Sequence, residues 1–290
     1  MPRVALVPYS RNWSYDLTAV ALAQHLAPRF DLEVFYRDGL DRARWADFDL
    51  VIDFWWRGVL HRKAGQKVAK QVSSHRWSQP RWGSNSIRGL VGAHLHRNVA
   101  ILVPSRRLET ELAPSVSKLL ARCPKGFHPE TFGDAGDRRG GLAVGWAGNA
   151  TAADKNLGLL VEACPELQIA GGNLTQAEMP GFYNGLDVIT CASDAEGDPR
   201  PLIEGMACGC FPVTVDVGIV PELVRHGENG LIVERSAAAF AQAFAWCRAN
   251  LEQVREVGRR NAQEMLASRT WAAVSRLWGD AFDLSIARTR

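Results

Sequence analysis

The chain has 290 residues, 47% hydrophobic and 22% charged, the balance of an ordinary globular protein with room for two domains. No apolar run approaches the ~20 residues that a membrane-spanning helix needs, and the N-terminus turns polar too early for a signal peptide. Six scattered cysteines without a repeated CxxC argue against a structural zinc site and favour buried, reduced thiols in a cytoplasmic protein.

The charge is unevenly distributed. Residues 1–130 carry 20 Lys and Arg against 11 Asp and Glu, whereas the remainder carries 14 against 20. Between Phe54 and Leu108 there are eleven basic residues and no acid. Because ordinary surfaces mix the two signs, we expect the first half to meet an anionic partner. Nucleic acid is not expected, since no RNA- or DNA-binding motif accompanies the basic stretch.

Apolar strands alternate with amphipathic helices along the first half. We predict strands at 3–9, 32–36, 49–56, 66–74 and 98–105, and helices at 15–27, 84–96 and 106–120. The segment 122–141 is rich in Gly, Pro and charge, which indicates a linker.

The same alternation restarts after the linker. Strands are predicted at 141–148, 166–172, 186–193, 210–216 and 229–233, and helices at 154–164, 175–185, 200–209, 236–266 and 270–287. This order predicts an α/β protein of two Rossmann-like domains, 1–130 and 131–290, each with a parallel sheet. Ligands of such sheets bind beyond the carboxyl ends of the strands, so we expect the domains to face each other across an active cleft.

One segment, EGDPRPLIEGMACG (196–209), has the residue types expected of a ligand-binding site. Proline is favoured in the first helical turn, so Pro201 predicts a helix start that leaves Glu196 on a loop and places Glu204 one turn inside the helix. The helix start and Arg200 would form an anion site between the two acids. Carboxylates accept hydrogen bonds from hydroxyls, so a nucleotide sugar, with its ribose, diphosphate and hexose, fits. A chance pair of glutamates is the alternative for the spacing alone.

Residues 193–233 resemble the donor-site signature of retaining glycosyltransferases of family 4. The matching positions are Ser193, Glu196, Glu204, Gly205, Met206, Ala207, Gly209, Pro212, Val213, Gly218, Pro221, Glu222, Asn229 and Gly230. The resemblance implies a GT-B fold, with residues 1–130 binding the acceptor, residues 131–290 binding the nucleotide-sugar donor, and the C-terminal helix packing back on the first domain. The first domain is short for that family.

The resemblance also implies roles for single residues. Glu204 would hold the ribose hydroxyls, and Glu196 would lie near the donor sugar as a catalytic residue. The backbone beside Pro201, chiefly the amide of Leu202, would contact the diphosphate. Lys155 occupies the place of the family's phosphate-binding lysine; a plain surface lysine is the alternative.

The resemblance also implies that Ser193 belongs to the donor site. Nearby, the sequence departs from the family's pattern. Asn149 stands where the family usually has an arginine, and we hypothesise that Arg200 supplies the missing charge. The resemblance also implies that no cofactor or metal is required, since in that family lysine, arginine and a helix dipole balance the leaving diphosphate.

Acceptor-side residues are predicted in the basic half. His75 follows a predicted strand where the family often carries a histidine facing the reacting sugar, so it is a second catalytic candidate; a loop histidine bonded to backbone is the alternative. Loop tryptophans beside arginines suit stacking on a sugar ring or insertion into a membrane interface. These acceptor-side candidates are Trp77, Trp82, Arg76 and Arg81.

The sequence therefore predicts a cytoplasmic glycosyltransferase that moves a sugar from a nucleotide sugar to a glycan or lipid-linked acceptor with retention, the leaving phosphate accepting the acceptor's proton. The basic half also suits peripheral contact with an anionic membrane face. Two alternatives stay open: a nucleotide-sugar epimerase or hydrolase on this fold, and a non-catalytic glycan- or membrane-binding relative, suggested by Asn149. A dehydrogenase is disfavoured, because no strand is followed by GxGxxG.

Overall fold

A computed structural model describes residues 1–40, 44–58, 60, 67–79, 86–136 and 138–288. The chain divides into two compact units, residues 1–126 with 271–290 (unit 1) and residues 127–270 (unit 2). Each unit contains one parallel sheet with helices packed against it.

The sheet of unit 1 has the order β2-β1-β3-β4-β5-β6, with every pairing parallel. Its strands are β1 (Arg3–Tyr9), β2 (Asp31–Tyr36), β3 (Leu50–Asp53), β4 (Val68–Gln71), β5 (Ala100–Val103) and β6 (Leu119–Arg122). The accompanying helices are α1 (Ser14–Leu26), α2 (Ile87–Leu90) and α3 (Arg106–Leu112). The inner strands are buried on both faces, as expected of a parallel sheet covered by helices.

The strand β6 lies where the sequence predicted the end of a helix at 106–120. Pro114 sits in a 3₁₀ turn, Ala113–Ser115, immediately after α3. Because proline cannot donate the hydrogen bond that a continuing helix needs, α3 ends there and the chain emerges extended as β6.

The sheet of unit 2 has the order β11-β10-β9-β7-β8, also parallel throughout. Its strands are β7 (Val144–Ala147), β8 (Gln168–Ala170), β9 (Val188–Cys191), β10 (Phe211–Thr214) and β11 (Leu231–Ile232). The helices are α4 (Leu157–Ala163), α5 (Met179–Asn184), α6 (Arg200–Ala207), α7 (Val220–Leu223), α8 (Ala237–Ala249) and α9 (Leu251–Ser268). The helix predicted at 175–185 begins only at Met179, because Pro180 belongs to its first turn rather than its interior.

The last helix, α10 (Trp271–Ala287), belongs to unit 1. The indole N–H of Trp278 donates to the carbonyl of Pro124 at 2.8 Å, and Arg29 at the end of α1 pairs with Asp280 at 2.9 Å. Unit 2 therefore ends at residue 270, whereas the sequence analysis extended the second domain to 290.

The predicted linker at 122–141 is largely part of the two units. Cys123 is fully buried in unit 1, while Arg138 in unit 2 pairs with Asp134 at 2.7 Å and donates to the carbonyl of Cys208. The chain passes from one unit to the other between Gly126 and Phe127. All six cysteines are buried and free, as predicted.

Candidate functional site

The strand order of unit 2 creates one point where neighbouring loops diverge. The chain leaves β7 toward β8 on one side, and β9 lies on the other side of β7. In parallel α/β sheets, the crevice beyond the carboxyl ends of two such strands is the usual ligand site. The predicted donor-site residues follow β7 and β9 on this edge, namely Asn149, Lys155, Ser193, Glu196, Arg200, Pro201, Leu202 and Glu204.

Lys155 and Glu196 form an ion pair across this point. Lys155 ends the 3₁₀ turn that follows β7, and its Nζ donates to the carboxylate of Glu196 from the loop after β9. The two side chains are only 18% and 14% exposed. The sequence predicted both residues as ligand-binding groups, but it did not predict that they bind each other.

The loops that carry this pair are joined by hydrogen bonds of side chains and backbone. The side-chain amide of Asn156 donates to the carbonyl of Ala192 at 3.0 Å and to the carboxylate of Asp194 at 2.7 Å. The amide of Asp194 donates to the carbonyl of Asp154 at 2.9 Å. These contacts fix the distance between the loops and so hold Lys155 beside its partner.

The loop of Glu196 is also supported from behind. Gly218 has φ +55°, and a Cβ there would lie 2.3 Å from the carbonyl oxygen of Gly197 and 2.7 Å from that of Glu196. The next residue, Ile219, donates its amide to Gly197 at 2.8 Å. Gly218 is thus required both by its backbone conformation and by the closeness of the Glu196 loop.

Arg235 is a further support that sequence reasoning missed. Its guanidinium donates to the carbonyls of Ala192 at 3.2 Å and Ser193 at 3.0 Å. No local pattern marks an arginine after β11 as a partner of the β9 loop, because the contact depends on the fold. Ser193 itself is buried, and its hydroxyl accepts from the thiol of Cys191 at 3.5 Å.

Glu204 is held on both carboxylate oxygens. Arg200 donates to Oε1 at 2.9 Å from one turn earlier in α6, and the hydroxyl of Tyr183 in α5 donates to Oε2 at 3.0 Å. Burial, together with the negative charge of Glu204, raises the pKa of Tyr183 well above its usual value. Each carboxylate oxygen accepts more than one hydrogen bond, so Glu204 keeps the capacity to accept from ligand hydroxyls. Tyr183 was not among the predicted residues.

The start of α6 differs from the expectation in one respect. The helix begins at Arg200 with Pro201 in its first turn, as predicted. The amide of Leu202, however, donates to the carbonyl of Pro199 at 3.0 Å, and the side chain of Leu202 is buried in the core. The expected contact between this amide and a diphosphate would therefore have to be shared with the carbonyl of Pro199.

The contacts of Arg200 and Asn149 differ from those expected if Arg200 supplies the positive charge that is missing at Asn149. Arg200 is occupied by Glu204, although its Nη1 is buried with no hydrogen-bond partner in the described residues. Asn149 is exposed and accepts from the amide and hydroxyl of Thr151, at 3.0 and 2.8 Å, which makes it a turn residue. The structure therefore gives Arg200 a visible role in orienting Glu204.

The acceptor-side candidates belong to unit 1. His75 opens a 3₁₀ turn after β4, and its Nε2 lies 2.8 Å from the carboxylate of Glu111 in α3. Its neighbour Arg76 is half-buried, with its amide 3.4 Å from the hydroxyl of Ser74. The histidine is thus held by a carboxylate rather than by backbone, the alternative considered from the sequence.

Trp77 is not available for stacking on a ligand. It is 5% exposed and packs with Trp56, Leu90 and other apolar side chains in the core, so the prediction for this residue is wrong. The hydrophobic gain from burying a large indole outweighs its position in a basic loop. Trp82 and Arg81 lie outside the described residues. Among the described residues of unit 1, Trp13 is an exposed aromatic side chain, 64% exposed in the turn before α1.

No described helix is long and apolar enough to cross a membrane. In the same part of the chain, no group of three or more His, Cys, Asp or Glu side chains is arranged to hold a metal ion.

Comparison with known proteins places the motif in a family context. Residues 169–250, which include β9, α6 and Glu204, match the family model "Glycosyl transferases group 1". A comparison with curated proteins found no match.

Solved structures show the same fold over the whole chain. A sucrose-phosphate synthase from Thermosynechococcus elongatus is similar with 16% identity, complete coverage of both chains and a TM-score of 0.77. Anabaena HepE in complex with UDP-glucose is 13% identical, covers 98% of this chain and 100% of its own, and has a TM-score of 0.76. A glycosyltransferase from Rickettsia africae is 13% identical over 99% of both chains, with a TM-score of 0.74. The predicted fold class, a two-unit α/β protein of the GT-B type, is confirmed.

Proposed function

We propose that this protein is a glycosyltransferase that binds a nucleoside diphosphate sugar on unit 2 and transfers the sugar to an acceptor bound by unit 1. The observation that carries the proposal is the cluster of Lys155, Glu196, Arg200 and Glu204 at the point where the β7 and β9 loops diverge. Three of these residues lie inside the segment that matches the glycosyltransferase family model.

Each residue of the cluster has a chemical task in this proposal. The ammonium of Lys155 binds the diphosphate and stabilises the charge that develops on it as the bond to the sugar breaks. Glu204, held by Arg200 and Tyr183, accepts hydrogen bonds from the ribose hydroxyls. Glu196 accepts from hydroxyls of the donor sugar. The acceptor hydroxyl loses its proton to an oxygen of the leaving phosphate, with retention of the anomeric configuration.

The positive charge near the phosphate comes from the protein itself. We therefore propose that transfer needs no metal, because the ammonium of Lys155 supplies the charge that a cation would otherwise bring. Activity that survives exhaustive treatment with a chelator would support this point, and activity that returns only after addition of a divalent cation would contradict it.

The acceptor is proposed to be a glycan or a lipid-linked saccharide held by the basic unit 1. Apart from Lys70, which is buried, the basic residues of the acid-free stretch between Phe54 and Leu108 favour an anionic acceptor or an anionic membrane face. His75, positioned by Glu111, is proposed to face the reacting sugar. Cytoplasmic location and membrane contact stay predictions, which fractionation and co-sedimentation with anionic vesicles would test.

The proposed function is tested by a binding panel followed by turnover. UDP, GDP, ADP and their glucose conjugates are titrated against the protein, and we expect one base to be bound through its diphosphate. Turnover of the bound sugar nucleotide is then measured with and without saccharide acceptors. Acceptor-dependent product supports transfer, consumption of donor alone indicates an epimerase or hydrolase, and the absence of nucleotide binding contradicts the proposal.

A further inference from the structure

We infer that Glu196 is a specificity-determining residue that competes with a bound phosphate for Lys155, so that the site prefers a diphosphate that carries a sugar over a bare nucleoside diphosphate. The inference deepens the proposed function and rests on it. Its starting observation is that the two residues expected to bind different parts of the ligand are bound to each other.

The charges of the site are already balanced. Lys155 is paired with Glu196, and Arg200 is paired with Glu204 at 2.9 Å. None of the four side chains is more than 18% exposed, so water screens these charges poorly. A diphosphate that takes Lys155 therefore displaces the Glu196 carboxylate or shares its cation. Either outcome leaves a carboxylate beside phosphate oxygens, where like charges repel.

A donor sugar supplies hydrogen-bond donors to the released Glu196 carboxylate, whereas a bare diphosphate does not. Sugar hydroxyls donate hydrogen bonds, and a carboxylate released from Lys155 accepts them well. A terminal phosphate of a bare diphosphate presents mainly acceptor oxygens, so Glu196 stays without a donor. The cost of separating the ion pair is thus offset only when the sugar is present.

The loop geometry keeps Glu196 from simply moving away. Its neighbours Ala195 and Gly197 are buried, and the amide of Ile219 donates to the carbonyl of Gly197 at 2.8 Å. Behind the loop, Gly218 stands so close that even a methyl group would collide with it. The carboxylate can change its partner but its backbone stays next to Lys155.

The same competition would act at the end of a turnover. Once the sugar has been transferred, Glu196 loses its hydroxyl partners and the bare diphosphate remains on Lys155. Return of the carboxylate to Lys155 then favours release of the diphosphate, a step that limits turnover in many enzymes.

The test compares affinities by calorimetry. For each base of the panel, the dissociation constants of the diphosphate and its glucose conjugate are measured for wild type and Glu196→Gln. We expect the bare diphosphate to bind about fivefold more tightly to the variant, the gain from removing about 1 kcal/mol of competition. The glucose conjugate should bind the variant no more tightly than it binds wild type. The ratio of the dissociation constant of the diphosphate to that of its glucose conjugate should therefore fall about fivefold in the variant.

Two further variants separate competition from general electrostatics. Glu162→Gln removes an exposed carboxylate from α4, outside the two loops that carry the ion pair, so it should leave the ratio unchanged. In a Lys155→Met background, Glu196→Gln should raise diphosphate affinity by less than it does in the wild-type background, because the lysine for which Glu196 competes is absent. Thermal unfolding of each variant checks that it is folded, and Glu196→Ala replaces Glu196→Gln if the latter is not.

The outcomes are distinct. If wild type binds no nucleotide of the panel, the proposed function fails and the inference fails with it. If wild type binds a diphosphate but Glu196→Gln binds it no more tightly, only the inference is overturned. An equal gain for Glu162→Gln would also overturn it, because the effect would then be one of net charge.

Discussion

A lysine paired with a carboxylate stands at the carboxyl edge of each sheet, but the two pairs differ in burial and surroundings. In unit 1, Lys70 and Asp53 are both 0% exposed, 3.8 Å apart, whereas Lys155 and Glu196 in unit 2 keep 18% and 14% of their surface. Lys70 also donates to the backbone carbonyls of Trp56 and Gly58. The Lys70–Asp53 pair holds the loop after β3 in the interior of unit 1, whereas the Lys155–Glu196 pair is accessible from solvent.

The comparison teaches that the position of a charge pair at a strand end does not by itself make a ligand site. The amide of Trp55 donates to Asp53 at 3.1 Å, and a Cβ on Gly58 would lie 2.0 Å from its carboxylate. The loop after β3 is therefore folded directly onto the buried pair. In unit 2 the loops are tied to each other through Asn156 and Asp194, which leaves the Lys155–Glu196 pair at the surface of the crevice.

The largest expected difference between the regions is in stability. Lys70→Met leaves a buried carboxylate without its cation and should cost about 3–5 kcal/mol of unfolding free energy. Lys155→Met breaks a pair at the surface of the crevice, where water can still reach the released Glu196 carboxylate, and should cost less, about 1–2 kcal/mol. Urea denaturation at neutral pH measures both. The double variant Asp53→Asn/Lys70→Met should recover part of the loss, and equal costs for the two lysines would contradict the comparison.

The buried pair should also make stability depend on pH. Burial raises the pKa of Asp53 from 3.8 to about 6, although Lys70 opposes the shift. The folded state then binds the proton of the Asp53 carboxyl more tightly than the unfolded state does. This binding stabilises the folded state below pH ~4, and the stabilisation, about 3 kcal/mol, is lost as the pH rises from ~4 to ~6. The difference in unfolding free energy between wild type and Asp53→Asn should fall over that range. A difference that is flat with pH would rule out the shifted titration.

A third test concerns the support behind the reachable pair. Gly218→Ala places a methyl group against the Glu196 loop at φ +55° and should cost about 2–3 kcal/mol, with loss of nucleotide affinity. Gly227→Ala is the matched control, because Gly227 has φ +80° but nothing within 4 Å of an added Cβ. It should cost only the backbone strain, about 1 kcal/mol, and leave binding unchanged. Similar effects for the two variants would show that the loop does not depend on this contact.

The smallest effect compares two tyrosine–carboxylate hydrogen bonds. Tyr183→Phe removes the 3.0 Å bond to Glu204 and should cost about 1–2 kcal/mol of stability and weaken nucleotide binding. Tyr36→Phe removes a 2.8 Å bond to Asp16 in unit 1 and should leave nucleotide binding as it is. Calorimetric titration of both variants decides the point. If Tyr36→Phe weakens nucleotide binding as much as Tyr183→Phe does, Tyr183 has no special role at the site.

Most of the sheets could be predicted from the sequence, because buried parallel strands read as short apolar runs between helices. The strand β6 could not, since Leu119–Arg122 continued an apparent helix and only the break at Pro114 separated them. The place of α10 in unit 1 was implied by a family resemblance and not by its own pattern, because an amphipathic helix does not reveal which sheet it covers.

The residues of the site could be predicted more fully than their contacts. The motif predicted Glu196, Arg200 and Glu204 as ligand-binding residues, and the family resemblance predicted Lys155. Pairing of Lys155 with Glu196, 41 residues away, depends on two loops meeting at one sheet edge. Tyr183 was missed because it reads as an ordinary apolar helix residue, and Trp77 was misassigned because a basic neighbourhood in sequence does not report burial.

The central claim, that Lys155 binds the diphosphate of a nucleotide ligand on unit 2, is tested most directly by titrating the six-ligand panel against wild type, Lys155→Met and the exposed control Lys118→Met. We predict that wild type and Lys118→Met bind the same diphosphate equally well, and that Lys155→Met loses at least about tenfold, or about 1.4 kcal/mol. Undiminished binding by Lys155→Met would contradict the claim.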